Sequence, residues 1–233
     1  MRLLLSLIIM SLAFTTAQQL PQINSANPVN PRAEEIRTTA CTVEEEDDDN
    51  EPSSRDLPTR QTPEWDAEYA LRQAYNALFP EFLAAVPMER DSELLMPVEG
   101  VSLSQVSDTW GAARSEGRSH EGTDIFAEEG APVYSATDGY VQRIGSNPVG
   151  GNIVTVIGGG GTRYYYAHLS GFSDDLEEGQ YVTPETLLGY VGNTGNAVTT
   201  PPHLHFGVYA GESYLTCDWD AENPYLLLVD RDW

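Results

Sequence analysis

The second half of the chain, from about residue 102, consists of short apolar runs separated by glycine, asparagine and aspartate. Runs of this length between turn residues are typical of strands. Asp138 and Gly139 separate residues 132–136 from residues 140–144, and this pair favours a hairpin because both residue types tolerate the positive φ of a tight turn. The pattern predicts a mainly β fold.

Four consecutive glycines at residues 158–161 lie between residues 152–157 and residues 162–168, which predicts a second hairpin. Glycine-rich loops also bind phosphate, but those loops carry a lysine and lead into a helix. The run here has neither feature, so we interpret it as a turn.

All four histidines of the chain fall in this β region. His203 and His205 alternate with Leu204 and Phe206. On a strand, both imidazoles would therefore face one side of the sheet, and both apolar side chains would face the other side, toward the core.

The remaining histidines are His120 and His168. His168 follows Tyr166 at the spacing of one strand face, which predicts an aromatic strand surface leading to the histidines. His120 and Asp124 have the spacing of a helix, but a glycine between them and the strand-like residues after them favour a turn that enters a strand.

These residue types indicate a metal site. Zinc in catalytic sites takes three protein ligands, commonly neutral imidazoles with or without a carboxylate, and keeps a fourth position open for water. The composition of the histidine region therefore predicts hydrolytic chemistry with one Zn²⁺ per chain.

Several stretches in a fixed order resemble the zinc metallopeptidases of the lysostaphin and LytM type, the M23 family. The resemblance runs from about residue 108 to residue 208, and Thr123 and the glycine run are its small departures. The stretches that carry it are Gly122-Thr123-Asp124-Ile125, Tyr166-Ala167-His168-Leu169-Ser170, Val191-Gly192-Asn193-Thr194-Gly195 and His203-Leu204-His205-Phe206-Gly207.

Position by position, the resemblance implies that His120, Asp124 and His205 bind zinc and that His168 and His203 form the catalytic pair. One histidine of the pair would take or relay a proton, and the other would stabilise the developing oxyanion. We favour His203 as the base and His168 as the stabiliser, and a shared role stays open.

Three further residues are candidates for substrate binding. Arg114 and Arg118 lie just ahead of His120, and guanidinium groups bind carboxylates bidentately. Ordinary surface salt bridges are the alternative for both. Tyr166 is the third candidate, from its place on the strand of His168.

M23 peptidases cut the peptides of bacterial peptidoglycan. The resemblance thus implies an endopeptidase that acts on peptide cross-links or stem peptides of the cell wall, in an antiparallel β sandwich or barrel-like domain over residues 101–228. Some relatives have lost their metal ligands and activate other wall hydrolases instead. All five positions are filled here, but this non-catalytic role is the alternative function, and partners among cell-division or wall-hydrolase proteins stay open.

The first 17 residues have the plan of a secretory signal peptide. Arg2 precedes an apolar run at residues 3–14, and small residues follow at the cleavage positions. The run is short for a membrane span, although an uncleaved anchor is the alternative. We expect export to the periplasm or the extracellular cell envelope, with no membrane span after cleavage.

Two segments separate this leader from the β region. Residues 18–62 are rich in proline, asparagine, threonine and acidic residues, which predicts a disordered tether. Residues 63–100 carry apolar side chains at helical spacing, with Pro80 expected to break or kink the run. This helical segment either covers an edge of the β domain or acts as a lid over its groove.

Export would also permit a disulfide between Cys41 and Cys217, the two cysteines of the chain. Two independent thiols are the alternative, since sequence does not show whether the two positions approach each other.

The formal net charge is −24, and the chain contains no lysine. Binding to nucleic acid is excluded as a function class, because phosphate-binding surfaces need clustered positive charge. A biotinyl or lipoyl carrier domain is excluded because it needs a lysine to modify. A cytosolic sugar-phosphotransferase domain does not fit the leader.

Overall fold

The computed structural model describes residues 80–114, 117–211 and 220–233. The predicted signal peptide, the tether, both cysteines and residues 63–79 lie outside these ranges. Within them, no helix is both long and apolar enough to cross a membrane.

The described part of the chain is mainly β, as predicted, with an antiparallel main sheet. A helical stretch covers residues 80–85. The 3-10 helices are Leu103–Gln105, Gly159–Gly161, Gly195–Ala197 and Pro224–Leu226. The strands are β1 (Leu94–Leu95), β2 (Thr123–Phe126), β3 (Pro132–Tyr134), β4 (Gly139–Asn147), β5 (Gly151–Ile157), β6 (Arg163–Leu169), β7 (Gly171–Phe172), β8 (Tyr181–Val182), β9 (Leu187–Tyr190), β10 (His203–Ala210), β11 (Asp220–Glu222) and β12 (Leu228–Val229).

Among these residues the largest sheet has the order β11-β10-β6-β5-β4-β8, and β2 pairs with β10. A smaller sheet has the order β3-β9-β7, and β1 pairs in parallel with β12. The hairpin predicted around residues 158–161 is confirmed, because β5 and β6 pair antiparallel across it.

The hairpin predicted at Asp138 and Gly139 is wrong. Strand β3 pairs with β9 in the small sheet, whereas β4 pairs with β5 and β8 in the large one. The turn residues at 138–139 therefore carry the chain from one sheet to the other. Turn residues in the sequence indicate that the chain changes direction. They do not indicate which strands pair, because pairing depends on how both strands are buried in the fold.

The predicted helical pattern ends at residue 85, and β1 follows. The backbone N–H of Leu94 donates to the carbonyl of Leu227 (2.8 Å), and that of Met96 donates to the carbonyl of Val229 (2.9 Å). Leu94, Met96 and Val98 are fully buried in the main hydrophobic core. The β unit thus includes residues ahead of the predicted boundary at 101.

One face of the main sheet carries the core. On β10, Leu204, Phe206 and Val208 are buried, which confirms the alternation expected for this strand. The register pairs Phe206 with Tyr166 and Val208 with Tyr164 on β6. Paired residues share a face, so both tyrosines belong to the core face. The opposite face of β10 and β6 is left for the histidines.

The glycine run also has a packing role. The N–H of Gly160 donates to the carbonyl of Pro87 (2.8 Å), and a β-carbon on Gly159 would lie 2.5 Å from the carbonyl oxygen of Glu89. The hydroxyl of Tyr164 donates to Asp91 (2.8 Å). Residues 87–91 therefore pack directly on this turn, and side chains on the glycines would block the approach.

Candidate metal centre

Strands β2, β6 and β10 bring four of the five predicted site residues together. The register places Asp124 on β2 directly opposite His205 on β10, and it places Ala167 on β6 on the other side of His205. His203 begins β10, and His168 lies near the end of β6. His120 reaches the same face from the segment before β2, where the chain bends at Gly122 and enters the strand.

Three donor atoms converge on one point. Nε2 of His120 lies 2.9 Å from Nδ1 of His205 and 3.0 Å from Oδ1 of Asp124, and Nδ1 of His205 lies 3.1 Å from the same oxygen. These residues form the three-ligand group that could hold a metal ion within the described ranges. We call His120, Asp124 and His205 the ligand cluster.

The spacing of the ligand cluster fits zinc. Tetrahedral coordination with bonds of about 2.0 Å separates neighbouring donor atoms by about 3.3 Å, and the observed distances are slightly shorter. The donor set of two imidazoles and one carboxylate leaves one of four positions for water. The residues present therefore match the group that the histidine pattern predicted.

The protonation of His120 supports the same conclusion. Its Nδ1–H donates to the carbonyl of Thr109 (2.9 Å), so in the neutral ring Nε2 carries a lone pair. That lone pair faces the Oδ1 lone pairs of Asp124 at 3.0 Å. A cation between the two atoms removes this repulsion, and a backbone carbonyl is a common partner for the outer nitrogen of a metal-binding histidine.

Thr109 holds two members of the ligand cluster at once. Its carbonyl accepts from His120, and its hydroxyl oxygen accepts the backbone N–H of Asp124 (3.2 Å). Sequence reasoning missed Thr109, because nothing in its neighbourhood signals a contact 15 residues away.

The Asp124 carboxyl is buried and remains ionised. Burial by itself would raise its pKa, but the side chains around it, with the Arg114 guanidinium donating to Oδ2, hold the pKa well below its usual range. Burial lowers the pKa of His205, although the neighbouring carboxylate opposes that effect. An anionic carboxylate beside a neutral imidazole is the protonation state that metal binding requires.

His168 joins the site through a β-bulge. Between the pairs Asn152–Leu169 and Val154–Tyr166, two residues of β6 stand opposite one residue of β5. His168 has a φ of 64°, in the left-handed region that non-glycine residues seldom adopt. This conformation turns His168 away from the face of Tyr166 and toward His203, with ring centroids 5.0 Å apart.

Each of these two histidines is oriented by a backbone carbonyl. Nδ1–H of His168 donates to Thr194 (2.9 Å), and Nδ1–H of His203 donates to Pro201 (2.8 Å). In the neutral rings, both Nε2 atoms therefore carry a lone pair that can accept a proton. Burial, together with the neighbouring His205 and His203, lowers the pKa of His168 to about 4.

The structure contradicts an exposed position for Tyr166, the third residue predicted to bind substrate. Its side chain is fully buried, and its hydroxyl oxygen accepts the backbone N–H of Ala136 (2.9 Å). The bulge at His168 breaks the alternation on which the prediction rested. The tyrosine on the histidine face is Tyr165, whose ring centroid lies 6.2 Å from that of His205.

The two predicted arginines have different surroundings. Nη2 of Arg114 donates to Oδ2 of Asp124 (2.5 Å), so Arg114 forms a salt bridge, which was the predicted alternative to substrate binding, and its partner is a ligand-cluster residue. Arg118 is exposed, and its carbonyl accepts the backbone N–H of Arg114 (2.9 Å). Phe126, another residue that sequence reasoning missed, lies 55% exposed with its ring centroid 5.1 Å from that of His203.

Part of this chain is similar to known proteins. Residues 118–217 match the model of peptidase family M23. An L-Ala–D-Glu endopeptidase of Bacillus subtilis is 44% identical over 130 residues, which are 53% of this chain and 40% of the relative. The peptidoglycan DD-endopeptidase ShyA of Vibrio cholerae is 38% identical over 87 residues, which are 37% of this chain and 19% of the relative.

The chain thus spans less than half the length of these curated relatives. Among solved structures, the catalytic domain of lysostaphin from Staphylococcus simulans is similar, with 29% identity and a TM-score of 0.44. The match covers 53% of this chain and 94% of that domain. The family match includes every member of the ligand cluster, together with His168 and His203. Residues 118–217 are therefore a domain of peptidase family M23.

Proposed function

We propose that this chain is an exported zinc-dependent endopeptidase that hydrolyses peptide cross-links or stem peptides of bacterial peptidoglycan. The observation that carries the proposal is the convergence of His120, Asp124 and His205 within about 3 Å of one another, with two further imidazoles beside them. The M23 domain and the endopeptidase names of its relatives support the reaction class.

The ligand cluster would hold Zn²⁺ through Nε2 of His120, Oδ1 of Asp124 and Nδ1 of His205. When bound, zinc supplies a Lewis acid that polarises the scissile carbonyl and lowers the pKa of water toward neutrality. One ion per chain is expected.

His168 and His203 would move the proton. In the neutral form of each ring, Nε2 is the atom left to accept a proton, because Nδ1–H donates to a backbone carbonyl. An Nε2 atom that accepts a proton from the attacking water becomes an N–H donor. That N–H can then donate to the developing oxyanion or to the leaving amine. We propose that the two histidines share these roles, since a pKa of about 4 keeps His168 neutral before the reaction.

Substrate contacts are proposed at the rim of the site. Arg118 is exposed beside the metal-binding face and suits a carboxylate of the stem peptide. Phe126 and Tyr165 offer ring surface next to His203 and His205.

Export is proposed because residues 1–17 have the plan of a secretory signal peptide.

The test is digestion of purified peptidoglycan by the zinc-loaded chain, with and without a zinc chelator, and with fragments read by mass spectrometry. New peptide ends that disappear with the chelator and in His205→Ala are the expected result, and their masses identify the bond. A zinc-loaded protein that releases no fragments contradicts the proposal and favours the alternative, a non-catalytic activator of other wall hydrolases. That alternative predicts that a second wall hydrolase cleaves peptidoglycan faster when this chain is present than when it is absent.

A further inference from the structure

We propose that Arg114 is a positioning residue for the metal-binding carboxylate: it holds Oδ2 of Asp124, so that Oδ1 alone faces the metal position. The inference rests on the proposed zinc site. For Arg114 the sequence left both substrate binding and a salt bridge open.

The two oxygens of Asp124 have separate tasks. Oδ1 lies 3.0 Å from Nε2 of His120 and 3.1 Å from Nδ1 of His205. Oδ2 accepts a charge-assisted hydrogen bond from Nη2 of Arg114 (2.5 Å). The carboxylate is buried, whereas the arginine is about 40% exposed and reaches it from the surface.

Because the two oxygens have different partners, Asp124 can occupy only one coordination position of the metal ion. A carboxylate with two free oxygens can bind a metal through both, and zinc then loses the open position that water needs. A guanidinium on Oδ2 competes for that oxygen and favours attachment through Oδ1. The salt bridge also gives Oδ2 a partner, which a buried carboxylate oxygen requires.

Backbone hydrogen bonds place Arg114 and His120 close to each other. The N–H of His120 donates to the carbonyl of Ala112, the N–H of Arg114 donates to the carbonyl of Arg118, and Ala113 forms a bridge with Ser119. Residues 112–114 and residues 118–120 thus pair as a short antiparallel ribbon. Alternation along such a ribbon puts Arg114 and His120 on the same face. One ribbon therefore supplies a metal ligand and the group that orients another ligand.

The positive charge of Arg114 would also repel a cation, so two effects oppose each other. Orientation should dominate, because the Asp124 carboxylate lies between the guanidinium and the metal position. Loss of a partner of this kind commonly weakens metal binding by about 10-fold to 100-fold.

The experiment compares the full chain with R114Q, R114K and the control R90Q. The control breaks another arginine–carboxylate pair of the same 2.5 Å length, between Arg90 and Glu222, away from the ligand cluster. The zinc Kd is measured by competition with a chromophoric chelator. The visible spectrum of the cobalt-substituted protein reports the coordination number, because four-coordinate cobalt absorbs more strongly than five-coordinate cobalt.

In R114Q we expect a zinc Kd raised by about 10-fold or more and a weaker cobalt spectrum. R114K should lie between R114Q and the unmodified chain, because lysine keeps the charge without the planar fork, and R90Q should match the unmodified chain. If R114Q does not fold, R114K decides alone. A Kd and a cobalt spectrum unchanged in every folded Arg114 variant would overturn the inference, whereas an unmodified chain that binds no zinc would overturn the proposed function as well.

Discussion

Gly122 lies against the ring of His205. A β-carbon built on Gly122 would stand 2.5 Å from Cε1 and 2.6 Å from Nε2 of that imidazole, and 2.9 Å from the carbonyl oxygen of Phe206. Atoms in real proteins essentially never approach so closely, so any side chain at position 122 must displace the histidine or the strand. The glycine between His120 and Asp124 therefore makes room for the third member of the ligand cluster.

Gly122→Ala should lower zinc affinity while the fold persists. The alanine methyl would push the His205 ring away from the point where the three donor atoms meet, and metal binding needs all three within about 0.5 Å of their positions. Zinc Kd and circular dichroism are the measurements. Gly171→Ala is the control, because a β-carbon at Gly171 meets nothing within 4 Å. Equal zinc affinity in the two variants would contradict this reading of Gly122.

His168→Asn should remove most of the activity and leave zinc bound. Asparagine adopts the left-handed backbone conformation of residue 168 readily, so the bulge can persist without the imidazole. Loss of a group that moves a proton lowers kcat by about 10²- to 10⁴-fold. His205→Ala serves as the contrast, since that change should remove zinc. Metal content and kcat are measured together, and a zinc-free His168→Asn protein would mean that His168 is a ligand.

Tyr166→Phe should weaken the fold and leave KM unchanged. The Ala136 N–H would lose its buried acceptor, at a cost of about 1–3 kcal/mol in the free energy of unfolding. Urea denaturation measures that loss. Tyr181→Phe is the control, because Tyr181 is half exposed and its change should cost little. A raised KM in Tyr166→Phe, with unfolding unaffected, would restore the substrate role that the strand pattern had predicted.

Alkaline pH should destabilise the folded domain between about pH 10 and about pH 12. Burial raises the pKa of Tyr166 and of Tyr209 to about 12, while tyrosine in an unfolded chain titrates near pH 10. Folding therefore favours the neutral phenols, and this contribution is complete below about pH 10 and is lost as the pH rises to about 12.

Denaturation midpoints over this pH range, with tyrosinate absorbance as a second signal, check the expectation. Tyr209→Phe should reduce the slope, because one late-titrating phenol is gone. A midpoint that stays constant from about pH 10 to about pH 12 would show that both phenols ionise equally in the folded and unfolded chain.

The face of β10 was predictable, because alternation along a single strand is a local property. His203 and His205 on one side, and Leu204 and Phe206 on the other, follow from the pleat alone. The face of His168 was not predictable in this way. A bulge on β6 shifts the alternation by one residue, and it forms only when β5 and β6 are paired.

The amino-acid sequence by itself determined the mainly β class, the glycine turn between β5 and β6, and the five residues that meet at the candidate metal centre. The first two features depend on residue type and on spacing along the chain, whereas the five site residues are those that the resemblance to the M23 family implies. Tertiary structure alone decided that Arg114 binds Asp124, that Thr109 holds two members of the ligand cluster, and that β3 leaves β4 for another sheet. Each of these three arrangements joins segments whose approach is set by packing and register, and none of them is encoded in any short stretch of residues.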